Sequence, residues 1–334
     1  MKAVLLHGTG GPEKVQYTDV ERPVPGIGEV LVRLKNASLN RRDLFITYGL
    51  YPGMKLPSIL GADGAGIVYA AGENVEGLSE GDEVVINPGM NWGSNLNCSA
   101  PDFHVLGMPA DGTYAEYVKV PAESVYRKPA YLTWSEAAAI PLSALTAYRA
   151  IITRGELAEG DTVFIPGIGG GVALFALQIA AARGARVFVS SSSDEKIARA
   201  KEMGAAGGIN YRSDQWVQEL NKEMGGADVI IDGVGGAAFK DFVFLAKPGG
   251  KLVSFGATAG PVPEFVLPRV FFKQLDIRGT TMGSPEEFAD MLQFFEQHEI
   301  RPVIDKQFSL KDAVSALKYM EENRAFGKIV LDIS

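Results

Sequence analysis

Residues 161–173 read Asp-Thr-Val-Phe-Ile-Pro-Gly-Ile-Gly-Gly-Gly-Val-Ala, and their reading decides the fold. The β-branched and aromatic run Thr162–Ile165 predicts a short strand, the proline and glycines a turn, and the apolar continuation to Arg183 a helix. Glycines at such a turn let backbone N–H groups approach a pyrophosphate, and the N-terminus of the following helix adds a field that favours negative charge. A glycine-rich loop alone is a weak signal, since glycines also build ordinary turns. The strand before it and the helix after it make this segment a candidate dinucleotide-binding turn, with Gly167, Gly169, Gly170, Gly171 and Val172 as its contacts.

Working outward, strands and helices alternate downstream: a strand at 186–190, a helix at 195–203, a helix near 215–222, a strand at 228–232, a helix at 239–245 and a strand at 252–255. Gly184 and Gly204 stand where helix C-caps belong, and Ser192–Asp194 supplies an N-cap. Such alternation predicts a doubly wound parallel sheet, an α/β fold of the Rossmann kind. Gly233, Val234, Phe255 and Gly256 fall at strand C-termini, where such sheets place ligands. Upstream, the first 120 or so residues carry short alternating runs punctuated by glycine and proline, which predict an all-β, barrel-like region. After Pro285 the chain is helical again, and 328–333 is an apolar run able to return to the N-terminal region.

The 334 residues, 46% hydrophobic and 22% charged, suit a soluble protein of two domains. A formal charge of -8 argues against nucleic acid as a partner, because phosphate binding wants a basic face; a small-molecule substrate is the expectation. No apolar run approaches the roughly 18 residues of a membrane span, and the N-terminus enters a strand-like pattern without a signal-peptide core, so a cytoplasmic protein is expected. Cys98, the one cysteine, excludes an intrachain disulfide and a thiolate cluster.

Pro25-Gly26-Ile27-Gly28-Glu29-Val30-Leu31-Val32, Gly61-Ala62-Asp63-Gly64-Ala65-Gly66, Gly81-Asp82-Glu83-Val84, Gly112-Thr113-Tyr114-Ala115-Glu116-Tyr117, the stretch 137–148 and the Gly167 loop together resemble the medium-chain dehydrogenase/reductase superfamily over essentially the whole chain. The resemblance implies a GroES-like catalytic domain, 1–125 completed by 284–334, a Rossmann cofactor domain at 126–283, and an active site in a cleft. Ala173 departs from the usual closing glycine of the loop, a change the fingerprint tolerates.

Many members of this superfamily are zinc enzymes, and a catalytic zinc needs three N, S or O ligands. The positions that resemble those ligands are Asn40, Ala62 and Leu142, so none is retained and no metal is expected. The structural zinc lobe offers Cys98 alone across 87–108, which reads as a vestigial loop. His7, His104 and His298 are scattered and read as surface or locally bonded residues.

The resemblance therefore narrows to the zinc-free, quinone oxidoreductase-like branch, which implies NADPH-dependent reduction of quinones or α,β-unsaturated carbonyl compounds. Asn40 and Asp43 match that branch's Asn and Asp: Asn40 to bond the substrate carbonyl or the nicotinamide ribose, Asp43 to orient it from behind. An Asx turn with a helix starting at Asp43 is the alternative, and the two readings are compatible. Phe45 replaces the tyrosine many relatives carry, leaving Tyr51 or Tyr48 as the candidate hydroxyl; no residue stands out as a general acid. Arg41 and Arg42 read as a solvated pair.

Cofactor choice turns on the end of the second strand of the alternating region. NAD enzymes place an acid there, which would repel a 2′-phosphate. Here Ser191 holds that position, Ser192 follows, and Asp194 comes late, as a helix N-cap. By resemblance Lys196 and Tyr211 bind the phosphate, with Arg212 or Arg324 as further candidates, so NADP is expected. Thr146 lies in the stretch that resembles the family's helix beneath the cofactor. Phe265, Phe271 and Phe272 wall a pocket, form a subunit contact or pack in the core, and a homodimer through 277–280 is expected by resemblance alone. The alternatives are a carbonyl or alcohol dehydrogenase of the same superfamily and an NADPH-binding regulatory protein without turnover.

Overall fold

The computed structural model describes residues 1–333, which divide into two units: Met1–Ser143 with the chain from Gly283 onward, and Ala144–Met282. The first unit thus runs past residue 125, where the sequence placed its limit. Pairing is the reason: Val125–Arg127 lies antiparallel to Glu83–Ile86, and the helix Trp134–Ala139 packs on strands Glu29–Ser38 and Asp63–Ala71.

In the first unit a seven-stranded sheet runs Val125–Arg127, Glu83–Ile86, Asp63–Ala71, Glu29–Ser38, Lys328–Asp332, Ile304–Ser309, with Tyr117–Pro121 also pairing to Glu29–Ser38. Lys328–Asp332 joins Glu29–Ser38 antiparallel, so the chain end does return to the N-terminal region. A second sheet, Val15–Asp19, Lys2–Leu6 and Ser58–Ile59, is stitched to the first by residues 114–116, through Tyr114 O to Val4 N–H and Leu34 N–H to Glu116 O. Val4, Leu6, Leu39, Ile46, Leu60 and Tyr114 form the core between them.

The second unit is a six-stranded parallel sheet in the order Gly207–Asn210, Arg186–Ser191, Thr162–Ile165, Ala227–Asp232, Ala246–Ser254, Asp276–Gly279. Counted from Thr162–Ile165 this is 3-2-1-4-5-6, the doubly wound order whose ligands sit at strand C-termini. Phe164, Phe188, Ile230, Phe242 and Leu252 fill one face. The strand Gly207–Asn210 has no local signal in the sequence: Gly207 and Gly208 carry no alternation, and glycine is required because a Cβ at 207 would lie 2.5 Å from the Phe188 ring.

The helix expected over 137–148 is interrupted. Trp134–Ala139 ends before Pro141, which lacks an N–H and opens a new helix, Pro141–Tyr148. A further turn of wider winding follows at Arg149–Arg154.

Candidate active site

Asn40 is the N-cap of the helix Arg41–Thr47. Its backbone N–H donates to Asp43 Oδ2 at 2.8 Å, an acid of the first turn closing the helix start. The helix therefore begins at Arg41, two residues before the start read from the sequence, and Asp43 holds the backbone of Asn40 rather than its amide. Tyr114 also donates to Asp43 Oδ2, at 2.8 Å. Gly61, at φ 99°, makes this possible, since a Cβ there would stand 2.3 Å from the Tyr114 ring. Burial pushes the Asp43 carboxyl up from its ordinary range, against the pull of the Arg42 guanidinium. Burial and the neighbouring Asp43 carboxylate push the Tyr114 hydroxyl well up, so it stays a donor.

The Asn40 side chain is left for a different partnership. Antiparallel register pairs Ser38 with both Val330 and Asp63, so two residues further on Asn40 meets Lys328. Lys328 Nζ donates to Asn40 Oδ1 at 2.7 Å, Asp63 Oδ2 at 3.0 Å and Ser143 Oγ at 3.3 Å. Ser143 Oγ donates on to Asn40 Oδ1 at 3.1 Å, and Asn40 Nδ2 donates to Asp63 Oδ2 at 2.8 Å. Asp63 is completed by Ser38 Oγ at 2.9 Å and by the N–H of Leu142 at 2.8 Å. That N–H is one of the donors a helix start leaves open. Asn40, Asp63, Ser143 and Lys328 are all at least 95% buried. An ammonium and a carboxylate this deep persist because every donor of one and both oxygens of the other are bonded.

The donor set does not fit zinc. Ala62 and Leu142 offer no side-chain ligand atom, and the single oxygen of the Asn40 amide already accepts from an ammonium and a hydroxyl. Among the described residues no group of three His, Cys, Asp or Glu is placed to hold a metal.

Arg42 is not solvated. It is buried, donates to the carbonyls of Leu106, Val105 and Met108, and so ties the end of the 87–108 loop to the helix beside Asn40. Arg41, partly buried, donates to Asn323 Oδ1 and Met320 O. Tyr51 packs its ring against the Arg42 guanidinium, 4.7 Å away, while the Tyr48 hydroxyl is exposed and donates to Glu321. Arg324 is exposed and pairs with Glu322.

In the second unit the glycine turn stands as the sequence predicts. Gly167 and Gly169 take φ 69° and 131°, values that glycine adopts without strain, and Gly170 caps the helix Gly171–Ala182 that Val172 continues. Ile168 N–H donates to Ser190 O at 2.8 Å, seating the turn on the neighbouring strand. Ser191, buried, ends that strand and pairs with Asn210, and Tyr211 N–H donates to Ser191 O at 3.1 Å. Tyr211 is exposed beside Ser191 and Ser192. The helix N-cap is Ser193, whose Oγ accepts from Lys196 N–H, and not Asp194; Asp194 is held by Asn210 Nδ2 at 2.9 Å. Asp232 Oδ1 accepts from Val234 N–H at 2.7 Å and Gly235 N–H, shaping the turn after its strand. Gly233 lies against Phe255, which is followed by Gly256. Gly167, Ser191, Tyr211, Gly233, Val234, Phe255 and Gly256 thus share one edge of the sheet. Thr146 Oγ1 lies 3.9 Å from the sulfur of Met282, three residues beyond the strand Asp276–Gly279. Phe265, Phe271 and Phe272 are 50–79% exposed, so core packing is not their role.

Asp63, Ser143, Lys328 and Tyr114 were not singled out as site residues in the sequence. One signal was available: Lys328 opens the otherwise apolar run Ile329-Val330-Leu331, and a charge there must find a partner.

A family model described as alcohol dehydrogenase GroES-like domain matches residues 26–130, and one described as zinc-binding dehydrogenase matches 171–297. Zinc-type alcohol dehydrogenase-like protein YogA of Leptosphaeria maculans is 36% identical over 339 residues, 96% of this chain and 94% of that protein. Quinone oxidoreductase of Pseudomonas aeruginosa is 31% identical, covering 99% of each. A solved structure of an NAD-dependent alcohol dehydrogenase superposes with a TM-score of 0.96 at 39% identity over 100% of both chains. With a GroES-like unit, a parallel sheet of dinucleotide-binding order and full-length relatives, the chain belongs to the medium-chain dehydrogenase/reductase superfamily of nicotinamide-dependent oxidoreductases.

Proposed function

We propose that the protein is an NADPH-dependent, zinc-independent reductase of quinones or α,β-unsaturated carbonyl compounds. The observation that carries this reading is the Asn40 amide, buried where a zinc ligand would stand in metal-dependent relatives, with its oxygen held by Lys328 and Ser143. One Nδ2 hydrogen goes to Asp63 and the other has no acceptor among the described residues. That hydrogen is the donor for a substrate oxygen on which negative charge develops. The N–H groups of 167–172 hold a pyrophosphate, and Ser191, Ser192, Lys196 and Tyr211 a 2′-phosphate, with no acid at Ser191 to repel it. Bound NADPH supplies the hydride. The proton that completes the product comes from water, since the side chains around Asn40 hold theirs in internal bonds. The exposed Phe271 and Phe272 beside the edge strand Asp276–Gly279 support a homodimer built on that face.

The names of two relatives favour a second reading, an NAD-dependent dehydrogenase interconverting an alcohol and a carbonyl. Cofactor oxidation measured with phenanthrenequinone and cyclohexenone, NADPH against NADH, and cofactor reduction with simple alcohols separate the two. Turnover of quinone or enone with NADPH, unaffected by a chelator, is the expected result. Alcohol oxidation with NAD that depends on stoichiometric bound zinc would overturn the proposal.

A further inference from the structure

Lys328 lies outside both stretches matched by the family models, yet its ammonium is the hub of the buried cluster of Asn40, Asp63 and Ser143. Its three hydrogens have three acceptors, the shortest bond going to Asn40 Oδ1. An asparagine amide can flip, exchanging oxygen and nitrogen at little cost in shape. Here a flip would set Nδ2 against an ammonium and Oδ1 against the Asp63 carboxylate, so the charges on the two sides permit one orientation. An amide whose oxygen accepts from a cation is also polarised, and its N–H groups become stronger donors.

We infer that Lys328 is a positioning residue for the reaction: it locks the Asn40 amide with its N–H outward and charges it, so that the free Nδ2 hydrogen bonds an oxyanion more strongly than an ordinary asparagine would. Asp63 completes the device from the other side by fixing the second Nδ2 hydrogen and neutralising the lysine. Ser143 takes a bond from the lysine and gives one to Asn40, closing a ring of bonds in which one Nδ2 hydrogen of Asn40 has no acceptor among the described residues. The inference rests on the proposal that Asn40 donates to the substrate oxygen.

Removing Lys328 alone strands a buried carboxylate, so the informative variant is the pair Lys328→Met/Asp63→Asn, which removes both charges together. Single-turnover hydride transfer to phenanthrenequinone from pre-bound NADPH should slow roughly 10- to 100-fold, the scale of losing a charged hydrogen-bond partner. NADPH affinity and the melting temperature should stay close to wild type. In protein carrying isotope-labelled asparagine and no cofactor, the Asn40 side-chain amide signal should move and exchange its hydrogens faster. Lys328→Arg, which keeps the charge, should retain most of the rate. Adding Asn40→Ala to the double variant should cost little more, because the two act as one unit.

Losses that multiply to within about twofold would mean that Lys328 acts independently of Asn40, and the inference falls. An unchanged rate and amide signal in Lys328→Met/Asp63→Asn, beside a slow Asn40→Ala, overturns the inference and leaves the proposed function standing. A fast Asn40→Ala, by contrast, removes Asn40 from catalysis and takes down the reading on which the inference rests.

Discussion

The two polar regions of this protein are built in opposite ways. The glycine turn at 167–171 is one continuous segment, with its strand on one side and its helix on the other. The cluster around Asn40 draws on five separated pieces, Ser38–Asp43, Asp63, Tyr114, Leu142–Ser143 and Lys328, and exists only where their strands meet. A turn needs little beyond local backbone freedom. A buried ion pair needs every partner at once, because each missing bond leaves a desolvated charge. Substitutions in the cluster should therefore disturb the whole ring, and substitutions at the glycine turn should act singly.

The largest effect expected is on stability. Lys328→Met leaves Asp63 buried without its cation and should cost about 3–5 kcal/mol in a chemical denaturation curve. A loss below about 1 kcal/mol would mean that the remaining N–H and O–H donors suffice for Asp63 and that the ring is not a unit.

Next comes chemistry in the same region. Asn40→Ala should lower the hydride-transfer rate by about 10² to 10³, or about 2.7–4 kcal/mol, with cofactor affinity largely retained. If a folded variant stays within about threefold of wild type, well inside that range, Asn40 serves the helix start alone.

The local site should respond more narrowly. Lys196→Ala should weaken NADPH binding by about 10- to 150-fold, the value of a charge-assisted bond of about 1.5–3 kcal/mol, and leave NADH nearly unchanged in a fluorescence titration. Equal affinities for NADPH and NADH in the unmodified protein would show that the serine cluster does not read the phosphate.

The smallest effect concerns Asp43, whose carboxyl is raised in the folded protein by burial. A raised folded value means that its contribution to stability is present below the unfolded carboxyl range and is lost as pH rises through the folded one. Asp43→Asn keeps an oxygen for Asn40 N–H and Tyr114 without titrating. Compared in urea at about pH 5 and about pH 8, wild type should gain on the variant at the lower pH. A pH-independent difference would mean that Arg42 fully offsets the burial.

The amino-acid sequence by itself determined the strand–helix alternation of the second unit, though not its strand Gly207–Asn210 or its helix Leu267–Lys273. Thr162–Ile165, the helix after the glycines and the strand ending at Asp232 follow from side-chain period, glycine caps and turn chemistry, which act over a few neighbours. It also showed that Ala62 and Leu142 carry no side-chain ligand atom, since ligand chemistry is a property of residue type. Tertiary structure alone decided the rest. Whether Arg42 meets water or carbonyls depends on where the 105–108 segment packs. The break at Pro141 could be read locally, but the use of Leu142 N–H by a carboxylate 79 residues away could not. Lys328 lies 288 residues from Asn40, and no local pattern encodes their meeting. It follows from the register of an antiparallel pair set by apolar side chains, so burial placed the strands and electrostatics then held what burial had brought together.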